Sequence, residues 1–268
     1  MLTSLILGIL VGAVLGLTGA GGGILAVPAL VVGMGWPMQQ ASPVALIAVA
    51  GSAAIGAIEA FRSGLVRYRA ALLMTIAGAP VTALGAQLAH KLPQRLLVAL
   101  FAGLMLLVAL RLLTQAIGQK TSEETMSPLC VGRMDPRTGR LSWTWTSGAA
   151  LAGTGALTGL MTGLLGVGGG FVIVPMLRKL TNVSMHGIVA TSLMVVALVG
   201  SSGVISTIRA GVLPPLTLTV LFSVATALGM VVGRGASRHL SARHVQIGFA
   251  GVLVCVSLGM AGKALLGA

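Results

Sequence analysis

Apolar residues run in long blocks along this chain, and polar residues gather in the gaps between them. The blocks fall at residues 2–18, 24–35, 42–61, 70–89 and 96–116, and again at 144–165, 171–180, 187–208, 213–233 and 245–266. A helix of roughly 20 apolar residues crosses the hydrocarbon core of a bilayer. The short alternating segments of a membrane β-barrel are missing from the pattern. It predicts an all-α membrane protein, a polytopic bundle of about 8–10 helical segments. The two short blocks, 24–35 and 171–180, each follow a glycine cluster, at residues 19–23 and 166–170. Consecutive glycines disfavour continuous helix by about 1 kcal/mol each relative to alanine. Broken or re-entrant helices are therefore expected at both clusters.

The blocks repeat. Adding 147 to Gly8, Gly12, Gly16, Gly19, Gly21, Gly22, Gly23 and Pro28 yields Gly155, Gly159, Gly163, Gly166, Gly168, Gly169, Gly170 and Pro175, with every identity kept. Leu10, Leu17, Val27, Leu30, Met38 and Gly64 obey the same offset, and Leu92, Phe101 and Gly103 obey one of 148. Low complexity produces chance glycine matches, but not an ungapped series closed by the same proline. Two transmembrane repeats are expected, at 1–117 and 148–268, joined by a polar linker at 118–147. Lys120, Glu123, Glu124, Arg133, Asp135, Arg137 and Arg140 lie in that linker.

Composition changes the picture only by excluding alternatives. Charged residues make up 8% of the chain, against about 25% in soluble domains, and the mean hydropathy is +1.03. Too few charges exist to clothe a globular surface in water. The 39 glycines and 3% aromatics suit a bundle in which small residues let helix backbones approach. Gly8, Gly12 and Gly16, and their repeat partners, recur every fourth position and are expected at such contacts. The net charge of +13 carries no aromatic-interleaved basic stripe, so it reads as topology rather than nucleic-acid binding. Cys130 and Cys255 form no metal or disulfide pattern, and residues 1–4 lack the basic start of a cleaved signal peptide.

Positive charge orients the segments. If each opening stretch enters the membrane and returns, one side receives Arg62, Arg67, Arg69, Arg111, Lys120, Arg133, Arg137, Arg140, Arg178, Lys179, Arg234, Arg238 and Arg243. The other receives only Lys91, Arg95, Arg209 and Lys263. A single crossing makes the split nearly even. The positive-inside rule favours the first arrangement, with the linker in the cytoplasm and both termini outside. Each half then has an odd number of segments, so the halves are inverted. Inverted repeats with broken helices are the pattern of many secondary transporters, whose sites lie near the midplane.

A helix starting after each cluster would turn its N–H groups and positive dipole end toward the break, which favours an anion. Pro28 and Pro175 are expected to kink these second halves. Neither cluster fits a dinucleotide fingerprint, since Ile24 and Phe171 stand where glycine is needed.

Gly19-Ala20-Gly21-Gly22-Gly23-Ile24-Leu25-Ala26-Val27-Pro28 and Gly166-Val167-Gly168-Gly169-Gly170-Phe171-Val172-Ile173-Val174-Pro175 resemble the duplicated motif of the TauE/SafE sulfite exporter family. Ala190-Thr191-Ser192-Leu193 resembles the segment that follows it, whereas Ala41-Ser42-Pro43-Val44 lacks the Thr-Ser pair. The resemblance implies a bacterial-type transporter of the cell (cytoplasmic or inner) membrane, multi-pass, that carries sulfite, sulfonates or related sulfur anions. Polar candidates near the breaks are Thr18, Ser42, Ser52, Thr162, Thr191, Ser192, Ser201 and Ser202. The substrate-binding set is expected at Thr18, Gly21, Gly22, Gly23, Gly168, Gly169, Gly170, Thr191 and Ser192. Hydroxyls in helices also bond back to their own backbone.

Glu59 is the only carboxylate inside or beside a span, and Arg62 lies three residues on. The two are expected to form an ion pair on one helix face, or to serve in coupling. His90, His186, His239 and His244 show no ligand spacing. Neither metal, cofactor, catalytic cluster nor ATP-binding motif is expected. Expected partners are a small anionic substrate and the lipid bilayer, with homo-oligomerisation left open. The expected function is a secondary anion transporter working by alternating access around a midplane site. The alternatives are an anion channel on the same scaffold or a non-transporting membrane subunit.

Overall fold

The structure, a computed structural model, describes residues 2–117, 145–181, 184–209, 211, 214–237 and 242–266. The linker placed at 118–147 lies outside them apart from its last three residues, which begin a helix. Ten α-helices and one 3-10 segment form among the described residues: α1 Leu2–Thr18, the 3-10 turn Gly19–Leu25, α2 Ala26–Gly33, α3 Met38–Arg62, α4 Tyr68–Lys91, α5 Gln94–Ile117, α6 Trp145–Leu165, α7 Gly170–Leu180, α8 Met185–Arg209, α9 Leu216–Ser237 and α10 Ala242–Leu266. Seven of them, all but α1, α2 and α7, are long and apolar enough to cross a membrane.

Helices outrun their apolar blocks because hydropathy marks contact with lipid, while helicity needs only continuous backbone bonding. Thus α3 begins at Met38, ahead of the block at 42–61, and carries Gln39 and Gln40 in its first turn. Pro28 falls in the first turn of α2, where a proline is tolerated better than in a helix interior. Pro175 lies inside α7 and does remove an internal bond.

The opening stretch of each half turns back on itself. Gly22 sits against the backbone of Leu15 and Val14, and Gly33 against the Leu7 side chain. Rising numbers on the return meet falling numbers on α1, so α2 runs antiparallel to α1. In the second half Gly169 folds back onto Thr158 and Thr162 of α6. Left-handed glycines, Gly19 (φ 74°) and Gly166 (φ 72°), start the two reversals, a conformation that costs a residue with a Cβ more.

Glycine also sets how the halves join. Gly8, Gly12 and Gly16 of α1 meet Phe222, Thr226 and Met230 of α9, and Gly155, Gly159 and Gly163 of α6 meet Met74, Gly78 and Thr82 of α4. A Cβ at Gly12, Gly16, Gly159 or Gly163 would overlap a backbone carbonyl oxygen of the facing helix. The close approach is therefore backbone to backbone, as expected for small residues every fourth position. Gly229 and Gly233 return the contact onto Ile9 and Ala13, as Gly78 and Gly85 do onto Gly155 and Leu160. The first helix of each half thus lies parallel to the fourth helix of the other half.

The third helices, α3 and α8, pack together in the opposite sense. Gly56 faces Leu193, Ala50 faces Gly200, and Leu46 faces Gly203, so these repeat-equivalent helices are antiparallel. α5 pairs with α10, where Gln246 Nε2 donates to Leu112 O at 3.1 Å. These directions bring Arg62, Arg67, Arg69, Arg111, Arg178, Lys179 and Arg234 to one end of the bundle and Lys91, Arg95 and Arg209 to the other.

Candidate functional site

The two glycine clusters meet at the centre of the bundle. A Cβ at Gly23 would lie 3.3 Å from Val167 O and 2.9 Å from Val49 Cγ1. A Cβ at Gly168 would lie 3.2 Å from Val49 Cγ1 and 3.0 Å from Val196 Cγ1. Val49 and Val196 stand midway along α3 and α8 and are repeat equivalents, both buried. From this junction α2 and α7 depart toward opposite ends.

The clusters have the same residue pattern but different backbones. In the first, Gly19–Leu25 tightens into a 3-10 turn that runs straight into α2, with Ala26 N–H donating to Gly23 O. Its backbone bonding continues through Gly21, Gly22 and Gly23. In the second, Gly168 (φ 73°) and Gly169 (φ 63°) adopt left-handed conformations and the helix stops. Gly166 N–H donates to Thr162 O at 2.8 Å, and Val172 N–H donates to Gly169 O at 3.0 Å. The N–H groups between them, from Val167 through Gly168, Gly169 and Gly170 to Phe171, meet no acceptor among the described residues. All five residues are buried. Buried amides are nearly always paired, and at membrane depth water is scarce. A run of free donors at the start of α7 makes this buried spot electrostatically positive.

Beneath this run lies Thr158, which the sequence reading did not single out. It is fully buried, and its Oγ1 has no hydrogen-bond partner among the described residues. A Cβ on Gly169 would overlap the Thr158 methyl group and lie 3.1 Å from Thr162 Oγ1. Thr162 itself donates to Thr158 O at 2.8 Å. The equivalent positions in the first half are Val11 and Leu15. At these two positions the hydroxyls belong to the second half alone, and a comparison of the repeats reveals it.

The predicted hydroxyls separate by helix face. Val189, Ser192 and Val196 share one stripe of α8; Val189 touches Gly19 and Val196 touches Gly168, so Ser192 faces the breaks. Its Oγ donates to Val189 O at 2.9 Å. Thr191 faces elsewhere. It donates to Gly187 O at 2.7 Å and accepts the Arg67 N–H at 3.0 Å, tying α8 to the turn between α3 and α4. Replacing Thr191 with valine should lower the thermal midpoint, by loss of a bond worth about 1 kcal/mol and exposure of an unmet amide. A calorimetric scan checks this, and anion affinity should stay unchanged. Thr18 donates to Val14 O at 2.7 Å, 3.9 Å from where a Gly21 Cβ would stand. Ser52, Ser201 and Ser202 likewise donate to Ala48 O, Ala197 O and Val199 O.

Glu59 does not pair with Arg62. Its Oε2 accepts from Arg234 Nη1 at 2.5 Å, joining α3 to α9, while Arg62 is exposed. Sequence spacing favours the neighbour on the same helix, but Gly56 and the close approach of α9 bring a guanidinium from the other half within reach.

These features define a polytopic helical membrane protein in which two broken elements meet at the centre of a duplicated bundle. Residues 4–260 match the family described as sulfite exporter TauE/SafE, and the chain belongs to that family. Two relatives, each described as a probable membrane transporter protein, come from Xylella fastidiosa. The one from strain 9a5c is 33% identical over 202 residues, covering 75% of this chain and 70% of the relative. That from strain Temecula1 is 34% identical over the same shares. No solved structure matches the chain. The protein is a multi-pass membrane transporter and not an enzyme.

Proposed function

We propose that the protein carries a small oxyanion, sulfite or a sulfonate or related organosulfur anion, by alternating access around the second glycine break. The observation that carries this reading is the row of five buried amides without acceptors at the start of α7, set over the unpartnered Thr158 hydroxyl. Together they offer donors to a tetrahedral or pyramidal oxyanion, with Gly168, Gly169 and Gly170 supplying backbone and Ser192 a hydroxyl from the facing helix. Gly21, Gly22, Gly23 and Thr18 form the opposing wall. Among the described residues no lysine or arginine lies in the middle of a helix, so the anion is held by dipoles alone. Such binding is weak enough to reverse, which a carrier needs.

The antiparallel packing of α3 on α8, equivalent helices of the two repeats, supports an inverted relation between the halves. The arginine-rich end supports placing that end, with the linker, in the cytoplasm of a cell membrane. The reading is tested by radiolabelled sulfite and sulfonate uptake into proteoliposomes. Saturable flux, inhibited by one anion against the other, is expected; absence of flux across a panel of small anions would overturn it.

A further inference from the structure

The two ends of the bundle differ at places the repeat makes equivalent. At the end bearing Lys91 and Arg95, a cleft of about 30 Å³ lies beside the second reversal, lined by Gln39 and Ser42 of α3, Ala86 and His90 of α4, Gly163 of α6 and Thr207 of α8. One water needs about 10–15 Å³ by the same measure, so the cleft takes about two waters. At its inner wall Ser42 packs against Gly166, where a Cβ would overlap Ser42 Oγ, and the run of free N–H groups begins at the next residue.

At the opposite end, Gly19 and Val189 occupy the places of Gly166 and Ser42, and a Cβ on Gly19 would lie 2.6 Å from Val189 Cγ1. There the equivalent of Ala86 is Arg234, and the equivalent of Ser206 is Glu59. The ion pair between them spans α9 and α3. It crosses at Gly56, where a Cβ would lie 3.4 Å from Arg234 Nη1. At the cleft end, Ser206 instead donates to Ser202 O on its own helix at 3.0 Å, and Ala86 has no group to pair. One end is bridged at its surface by opposite charges from the two halves; the other is lined by the polar groups of Gln39, Ser42, His90 and Thr207 together with apolar Met38, Pro43, Leu97 and Leu164.

We propose that the cleft at Ser42 is the open access path for a small oxyanion to the α7 amides, and that Glu59 and Arg234 form the gate closing the equivalent path at the other end. The inference rests on the transport reading above. A latch joining a helix of one half to a helix of the other breaks when the halves move apart, which is the motion alternating access requires. His90 and Gln39 give the mouth of this cleft hydrogen-bonding groups.

Cysteine labelling decides it. With Cys130 and Cys255 replaced by serine, Ser42→Cys and Val189→Cys are each treated with a membrane-impermeant thiol reagent in vesicles of both orientations. Ser42→Cys should label from its own side and Val189→Cys should stay slow from the other. Adding Glu59→Gln to Val189→Cys should speed its labelling several-fold. The charge-swapped pair Glu59→Arg with Arg234→Glu should slow it again, which a merely misfolded variant would not do. The gate is overturned if Ser42→Cys is inert from both sides, or if Val189→Cys reacts equally fast with and without Glu59. Labelling needs no substrate, so failure of sulfite flux with this pattern intact counts against the proposed substrate alone.

Discussion

Gly159→Leu should leave no monodisperse protein after detergent extraction. A Cβ at Gly159 would overlap Gly78 O and lie 2.8 Å from Gly78 Cα. Overpacking costs about 1–3 kcal/mol where side chains yield, occasionally more. Here the obstacle is main chain, so α4 and α6 must separate along their shared ladder. Total stability is only about 5–15 kcal/mol, and Gly155 and Gly163 on the same face would lose their contacts as well. Size-exclusion chromatography of the extracted variant checks this. Gly103→Leu is the control, because nothing stands within 4 Å of a Cβ there and the position is exposed. A normal elution profile for Gly159→Leu would mean that the two helices are not held at backbone contact.

Thr158→Val should weaken anion binding by roughly 10-fold or more while raising the thermal midpoint of the empty protein. Valine keeps the shape and removes only the hydroxyl. A hydrogen bond to a charged ligand is worth about 1.5–3 kcal/mol, and each 1.4 kcal/mol is a factor of ten. Without ligand, the same hydroxyl is buried and unpartnered, a state that costs about 1–3 kcal/mol. The two shifts have opposite signs, which a general packing defect could not produce. Sulfite-dependent thermal stabilisation of the purified variant reads both at once. Unchanged sulfite affinity would remove Thr158 from the site.

The duplication, the helical class and the reversals at the glycine clusters were legible because each leaves a one-dimensional trace. Apolar blocks record immersion in lipid, and an ungapped glycine series records backbone that must come close to something. Arg178 and Lys179 could be sorted to the arginine-rich end from charge alone, and the fold-back of the second cluster onto α6 ahead of α7 has the same consequence. The partner of each glycine ladder was not legible. Gly12 meets Thr226 and Gly159 meets Gly78 across the halves, and spacing within one helix says nothing about which helix faces it. Gly85 and Gly233, and Gly56 and Gly203, are further repeat pairs whose role shows only in their contacts.

The site divides in the same way. An interruption at each cluster was readable, because consecutive glycines disfavour continuous helix. That the first cluster would close into a 3-10 turn was not, since both clusters offer the same glycines at the same spacing. Nor was it legible that the Thr191 hydroxyl accepts the Arg67 N–H in the turn between α3 and α4, or that Glu59 reaches Arg234 rather than Arg62.

By itself, the order of residues determined that this chain is a duplicated helical membrane protein with two interrupted elements, because lipid immersion and backbone freedom are properties of each segment alone. Which interruption stays open, which hydroxyl is left without a partner beneath it, and which charges meet were decided only by tertiary structure. The reason is that hydrogen bonds and ion pairs form between whichever groups packing brings within about 3 Å, and the helices doing so here come from opposite halves of the chain.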